Sequence, residues 1–183
     1  NKEEGKMQVI KRDGRLMEFK RERIVDAISK AMSHTIEGID LDLANKIADS
    51  VEKQFEKQEK LSASAFLKEL GATLWKLLGQ NGYEGGEYTN FEVGVLQVAI
   101  DFLEKNNREY GNFIEIVEDY LVEQQPNARK EVAIAAGAIR FGQENGLFEP
   151  FDMTIKEIAE AFDVSTSSLN KYYNDLTAYY QAK

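Results

Sequence analysis

The segment Val9-Ile10-Lys11-Arg12-Asp13-Gly14-Arg15-Leu16-Met17-Glu18-Phe19 decides how the amino-terminal part of this chain folds. Two short strand-like runs, residues 7–12 and 15–19, are joined by the dipeptide Asp13-Gly14. An Asp-Gly pair between such runs is the strongest short-range signal for a tight β-hairpin, because the turn needs residues that accept a positive φ. The sequence therefore predicts a β-hairpin at the start of the fold.

Helical periodicity dominates the residues that follow the hairpin. Apolar side chains recur every three to four positions, which is the spacing of one helix face. The first helix is predicted to begin near Arg21, and the second to run from about Leu41 to Lys57 behind an Asp40 or Asp42 cap. Ser62 or Ser64 is expected to cap a third helix that ends at Asn81-Gly82.

The glycines at positions 82, 85 and 86 form the best candidate domain boundary, and they divide the chain into residues 1–82 and 87–183. Beyond them, helices are predicted near residues 90–104, 113–124 and 129–143. Thr154 and Glu157 fit a capping box for a short helix, and Ser165 is expected to cap a last helix through Tyr180. The predicted fold is mainly α, with an N-terminal β-hairpin plus helices followed by an all-α domain.

The charge is distributed unevenly over the 183 residues, whose formal net charge is −9. Residues 1–60 are neutral, whereas residues 111–183 carry a net charge of −6. Six Lys or Arg residues lie between Lys11 and Arg23, which favours binding of a small anion there. The acidic remainder argues against a protein that coats nucleic acid, since that affinity grows with the number of phosphates neutralised.

Several functional classes are disfavoured by composition. The absence of cysteine excludes disulfides, thiolate metal sites and cysteine nucleophiles. No run reaches the roughly 18–20 apolar residues of a spanning helix, so we expect a cytoplasmic protein without a membrane partner. The single histidine, His34, has no second His or Cys to complete a metal site. We therefore expect no metal site and no catalytic residues.

The run Val9-Ile10-Lys11-Arg12-Asp13-Gly14-Arg15, followed by Phe19 and Arg23-Ile24, resembles the opening of the ATP-cone domain. That domain is the adenine-nucleotide sensor of many ribonucleotide reductases and of a bacterial repressor of reductase genes. The resemblance is closest over residues 9–24 and extends to about residue 80. It implies an ATP-cone-like α+β domain that binds ATP or dATP, with or without Mg²⁺.

The resemblance also implies which side chains form the nucleotide site. Lys11 and Arg12 are expected to contact phosphate, and the turn is expected to hold them next to the helix that supplies Arg21 and Arg23. Val9, Ile10 and Phe19 are expected to flank the purine base. The full expected set is Val9, Lys11, Arg12, Arg15, Glu18, Phe19, Arg21, Arg23 and Ser62. A basic hairpin whose charges only protect an exposed strand edge is the alternative.

The segment from Met153 to Tyr173, which contains Thr154-Ile155-Lys156-Glu157-Ile158-Ala159, resembles a helix-turn-helix. With Glu131–Arg140 before it, the region resembles the second half of the cyclin-box fold of transcription factor B proteins. The residues expected to contact DNA or a partner are Ser165, Thr166, Ser167, Asn170 and Lys171. Because Lys171 is the only basic residue among them, contact with a protein is the alternative to contact with DNA.

Two functions from different classes follow from these observations. The first is a non-catalytic, adenine-nucleotide-responsive regulator that forms homo-oligomers and acts in transcription or in the control of nucleotide metabolism. The second is an acidic helical protein–protein interaction module whose cone is vestigial and binds no nucleotide.

Overall fold

The computed structural model describes residues 7–83, 91–127 and 130–182. The chain divides into two compact units, Asn1–Asn90 and Phe91–Lys183. Within the described residues there are eight helices and one three-stranded sheet, so the predicted mainly helical fold is confirmed. Gly85 and Gly86 lie outside the described residues, and the boundaries at residues 82 and 87 stay a prediction.

The amino-terminal unit opens with the predicted hairpin. Strand β1 (Gln8–Ile10) pairs antiparallel with β2 (Leu16–Glu18). The turn is one residue longer than the Asp-Gly dipeptide alone: the Lys11 N–H donates to the Arg15 carbonyl at 2.7 Å, and the Gly14 N–H to the Lys11 carbonyl at 2.9 Å. Gly14 has a φ of +91°, which completes a three-residue turn with a glycine bulge.

A third strand, which the sequence analysis missed, borders the hairpin. Strand β3 (Leu61–Ser62) pairs parallel with β1, with Ile10 opposite Ser62, so the order in the sheet is β2-β1-β3. Two residues are too few to show the alternation by which a strand is recognised in sequence. This pairing brings the start of the third helix to the end of β1.

Three helices complete this unit: α1 (Arg21–Ser33), α2 (Leu41–Glu56) and α3 (Ala63–Gln80). They pack against the sheet around Phe66, whose ring centroid lies 4.9 Å from that of Phe19 and 5.4 Å from that of Phe55. The Asp40 side chain caps α2, as predicted. Of the two serines predicted to cap α3, Ser62 occupies the N-cap position, but its side chain makes no capping hydrogen bond.

Every secondary-structure element described in the carboxyl-terminal unit is a helix. Its helices are α4 (Phe91–Lys105), α5 (Phe113–Gln124), α6 (Glu131–Glu144), α7 (Ile155–Ala161) and α8 (Thr166–Gln181). Helix α6 is central, since residues 133–139 are all buried. The predicted capping box of Thr154 and Glu157 and the predicted Ser165 cap are both present.

Close approach of α6 and α8 depends on a glycine. A Cβ atom added to Gly137 would lie 2.7 Å from the backbone nitrogen of Tyr173 and 2.9 Å from the carbonyl oxygen of Leu169. Only a residue without a side chain therefore fits where α6 crosses α8.

Candidate functional site

The turn end of the hairpin is the place where basic side chains and a helix start are brought together. Strands β1 and β3 run parallel, so Ile10 and Ser62 lie side by side at their carboxyl ends. From this edge the chain leaves β1 into Lys11 and Arg12, and leaves β3 into the first turn of α3. Lys11 is partly exposed and Arg12 is exposed. Two cationic residues thus adjoin one helix N-terminus.

The N-terminus of α3 is suited to an anion. The first amide groups of a helix have no partner within the helix, and the helix dipole places partial positive charge there. The Ser62 side chain caps none of these amides, and the first turn contains no acidic residue. The side chains of Ser62 and Ser64 are exposed beside it. A phosphate or carboxylate bound here would meet backbone N–H groups and hydroxyl donors.

Asp13 and Arg15 hold the turn in shape. The Asp13 carboxylate accepts hydrogen bonds from the Arg15 backbone N–H at 3.0 Å and from the Arg15 Nε at 2.8 Å, and it forms an ion pair with the guanidinium at 2.7 Å. The hydrogen bond from the Arg15 side chain is the main reason that the pKa of Asp13 falls to about 2, and the bond from the Arg15 backbone adds to it. Arg15 is therefore engaged within the turn.

Val9 and Phe19 belong to the core of the unit, and the Phe19 backbone N–H donates to the Met7 carbonyl at the open end of the hairpin. Their relative exposures are 1% and 2%. Glu18 is exposed at the far end of β2, opposite Gln8. The structure therefore separates the apolar residues of the predicted set, which pack inward, from its charged residues, which remain at the surface.

Arg21 and Arg23 lie at the open end of the hairpin, whereas the sequence predicted them beside its turn. Helix α1 starts three residues after Glu18, beyond the open end of the hairpin. Lys11 and Arg12 lie in the turn at the opposite end. The expectation that the turn adjoins the start of α1 is wrong, because the parallel pairing of β3 places the start of α3 there instead. The signal missed was the two-residue strand Leu61–Ser62.

Arg21 instead joins α1 to α2. Its guanidinium forms an ion pair with Asp49 at 2.8 Å and a second one with Glu52. It also donates to the Asn45 carbonyl oxygen at 3.0 Å. Arg23 is partly exposed in the first turn of α1. The six Lys and Arg residues of the sequence cluster therefore do not act together: Arg15 binds Asp13 within the turn, and Arg21 joins α1 to α2.

In the carboxyl-terminal unit, two of the five predicted contact residues make internal bonds. Ser165 accepts from the Ser168 backbone N–H at 3.1 Å and so caps α8. Asn170 accepts from the Arg140 guanidinium at 2.6 Å. Thr166 and Ser167 are exposed in the first turn of α8. Lys171 is exposed and lies with its Nζ 5.2 Å from the centre of the Tyr172 ring.

Arg140 is a cation near this surface that the sequence analysis did not assign. Its guanidinium lies 3.8 Å from the centre of the Tyr173 ring, stacked between α6 and α8. The residue is 30 positions before Asn170 in the sequence, so only the packing of α6 against α8 reveals the pairing. Arg140 thereby fixes the orientation of the Asn170 side chain.

The described residues hold no group of three or more His, Asp or Glu side chains positioned to bind a metal ion. None of the described helices has the length and apolarity needed to cross a bilayer. His34 occupies the C-cap position of α1, where its backbone N–H donates to the Ala31 carbonyl at 3.3 Å.

Residues 7–74 match the model of a family described as the ATP cone domain. The matched segment runs from the residue before β1 into α3, so it includes the hairpin turn, β3 and the start of α3. No curated protein and no solved structure matches the chain.

Proposed function

We propose that the amino-terminal unit binds an adenine nucleotide, ATP or dATP, at the hairpin turn, and that the chain is a non-catalytic regulator. The match of residues 7–74 to the ATP cone domain supports this proposal. The observation that carries it furthest is the parallel pairing of β1 with β3, which sets the open N-terminus of α3 beside Lys11 and Arg12.

In this proposal the phosphates occupy the space between the turn and the start of α3. Lys11 and Arg12 form charge-assisted hydrogen bonds to phosphate oxygens, and the amides of the first turn of α3 donate to the same group. Ser62 adds a hydroxyl donor at the N-cap position. Arg15 contributes indirectly, because its bonds to Asp13 keep the turn in one conformation.

The other predicted residues have supporting roles in this arrangement. Val9 and Phe19 pack in the core of the unit, and Arg21 keeps α1 against α2 through Asp49 and Glu52. Glu18 and Arg23 lie toward the open end of the hairpin, away from the phosphates. Removing Glu18 or Arg23 should therefore affect nucleotide affinity less than removing Lys11 or Arg12.

The regulatory output is proposed to lie in residues 91–183 or in self-association of the chain. A nucleotide shifts a conformational or oligomeric equilibrium only by its difference in affinity for the two states. The net charge of −6 over residues 111–183 favours a protein partner over DNA, since a duplex repels an acidic surface. Control of transcription through Thr166, Ser167 and Lys171 is the narrower form of this proposal.

Isothermal titration calorimetry with ATP, dATP and ADP, each with and without Mg²⁺, tests the proposal. We expect the Lys11→Ala/Arg12→Ala variant to bind at least about tenfold more weakly, because each charge-assisted hydrogen bond is worth about 1.5–3 kcal/mol. The matched control is Lys46→Ala/Lys53→Ala, which removes two exposed lysines from α2 of the same unit. This control should bind as the wild type does.

Absence of binding for all three nucleotides would overturn the proposal. The remaining function would then be the acidic interaction module with a vestigial cone. Equal weakening in both double variants would show that only the overall charge of the unit matters, which contradicts a site at the turn.

A further inference from the structure

The side of α3 that faces solvent carries a large apolar side chain. Trp75 is 55% exposed, although tryptophan is a residue type that is highly buried on average. The opposite side of the helix is already anchored in the core of the unit through Phe66, Leu70 and Leu74. Tryptophan is enriched at protein interfaces and among the residues that contribute most to binding. The exposed side of α3 is therefore a candidate contact surface.

Small residues lie in a row beside this tryptophan. Ala65, Ala72 and Gly79 are exposed and follow each other at intervals of seven residues, a spacing that returns to the same side of a helix after two turns. Trp75 lies about 60° around the helix from Ala72, at the edge of the row. Since no long side chain stands in the row, the backbone of a second helix can approach α3 closely and cover the indole ring.

Charged side chains flank the row in a pattern that complements itself. Lys68 lies on the same flank as Trp75, seven residues before it, and Glu69 lies on the other flank, seven residues before Lys76. All three charged side chains are exposed. Within the part of the chain that the structure describes, neither Glu69 nor Lys76 forms an ion pair. One copy of α3 thus offers both members of each pair that a second copy requires.

Two copies of α3 match when they run antiparallel about a two-fold axis near Ala72. Each flank then faces the same flank of the copy in the opposite direction. Glu69 faces Lys76 of the second copy on one flank, and Trp75 faces Lys68 of the second copy on the other. An indole face attracts an ammonium group and packs against its alkyl chain. The antiparallel direction also places each helix N-terminus near the C-terminus of the other helix, which is favourable for the two helix dipoles.

We propose that two copies of this chain form a homodimer by antiparallel pairing of their α3 helices. Trp75 supplies most of the affinity, whereas the two ion pairs between Glu69 and Lys76 set the direction, because exposed ion pairs contribute little on their own. A single helix face is a small interface, so the dimer is reversible and depends on concentration. The pairing goes beyond the proposed function, since it requires no nucleotide.

Sedimentation velocity and tryptophan fluorescence of the full chain, measured over a dilution series without nucleotide, test the dimer. Trp75 is the single tryptophan of the chain, so its emission reports on this surface. We expect the emission to move to shorter wavelength as the dimer forms, because the indole ring leaves water. Trp75→Ala should weaken dimerisation at least about tenfold. The matched control is Ile36→Ala, which removes another exposed apolar side chain of the same unit and should leave dimerisation unchanged.

Charge reversal tests the direction of the pairing. Glu69→Lys and Lys76→Glu should each weaken the dimer about threefold or more, because two contacts between like charges replace two ion pairs. The double variant Glu69→Lys/Lys76→Glu recreates both pairs with the signs exchanged, so it should recover the wild-type dimer. Recovery would support antiparallel pairing, since parallel helices do not bring residues 69 and 76 together.

The proposal is overturned if the chain sediments as a monomer at every concentration, or if a dimer forms while Trp75 emission stays constant. Failure of the double variant to recover the dimer would contradict the antiparallel arrangement. Each of these results would leave the nucleotide proposal intact, because the measurements contain no nucleotide.

Discussion

The two units place a serine at the start of a long helix and use it in opposite ways. Ser165 caps α8 by accepting from the Ser168 backbone N–H, whereas Ser62 stands at the same position of α3 without capping it. In the carboxyl-terminal unit the helix start is satisfied within the protein. In the amino-terminal unit it lies beside Lys11 and Arg12. The comparison shows that the N-cap serine side chain caps its helix in the carboxyl-terminal unit and does not do so in the amino-terminal unit.

The prediction with the largest expected effect destabilises the carboxyl-terminal unit and measures the amino-terminal unit. Gly137→Ala would place a methyl group within 2.9 Å of two backbone atoms of α8, and we expect it to destabilise the carboxyl-terminal unit by about 2–3 kcal/mol. The single tryptophan, Trp75, lies in α3 and reports separately on the amino-terminal unit. The unfolding temperature measured by circular dichroism should therefore fall. The unfolding transition of Trp75 fluorescence and the nucleotide affinity should be retained.

Gly71→Ala is the control for that experiment, since an added Cβ meets nothing within 4 Å and α3 should gain about 0.5–1 kcal/mol. Equal loss of the tryptophan transition in Gly137→Ala would show that the two units unfold together.

A second test reverses the charge at the open helix start. Ser62→Asp places a carboxylate where the phosphates are proposed to bind, and we expect nucleotide affinity to fall at least about tenfold through repulsion. The same substitution favours the N-terminus of α3 by about 0.3–1 kcal/mol, so stability should stay equal or rise. For this variant, calorimetry should therefore show weaker nucleotide binding, whereas thermal unfolding should show equal or greater stability. Ser165→Asp is the control, and it should leave nucleotide affinity unchanged.

The smallest expected effect distinguishes the two serines by stability alone. Ser165→Ala removes a capping hydrogen bond and should cost about 1 kcal/mol. Ser62→Ala removes none, and its cost should stay below about 0.5 kcal/mol. Urea unfolding of both variants measures the difference. Equal costs would mean that the Ser62 side chain supports α3 in solution, which contradicts the comparison.

Elements whose apolar residues repeat over several turns could be predicted from the sequence, whereas the position of the candidate site could be predicted only in part. The helices were predictable because their apolar residues repeat over several turns, as in Ile47, Val51 and Phe55 of α2. The hairpin was predictable because Asp13-Gly14 has a specific turn chemistry. The helix beside the turn was assigned wrongly, since strand β3 has two residues and shows no period.

Contacts between distant residues were equally inaccessible. Nothing near Arg21 in the sequence shows that its partners are Asp49 and Glu52, and nothing near Asn170 indicates Arg140. These pairs arise from how the helices pack, which the order of residues in one helix does not encode. Charge clustering in the sequence therefore overestimated how many of these cations lie together in the structure.

Amide chemical shifts during an ATP titration test the central claim most directly. The account predicts that the largest shifts occur at the amides of Ala63, Ser64 and Ala65 and around Lys11 and Arg12, while the first turn of α8 is unchanged. Shifts centred on the start of α1 at Arg21, with the first turn of α3 unperturbed, would contradict it.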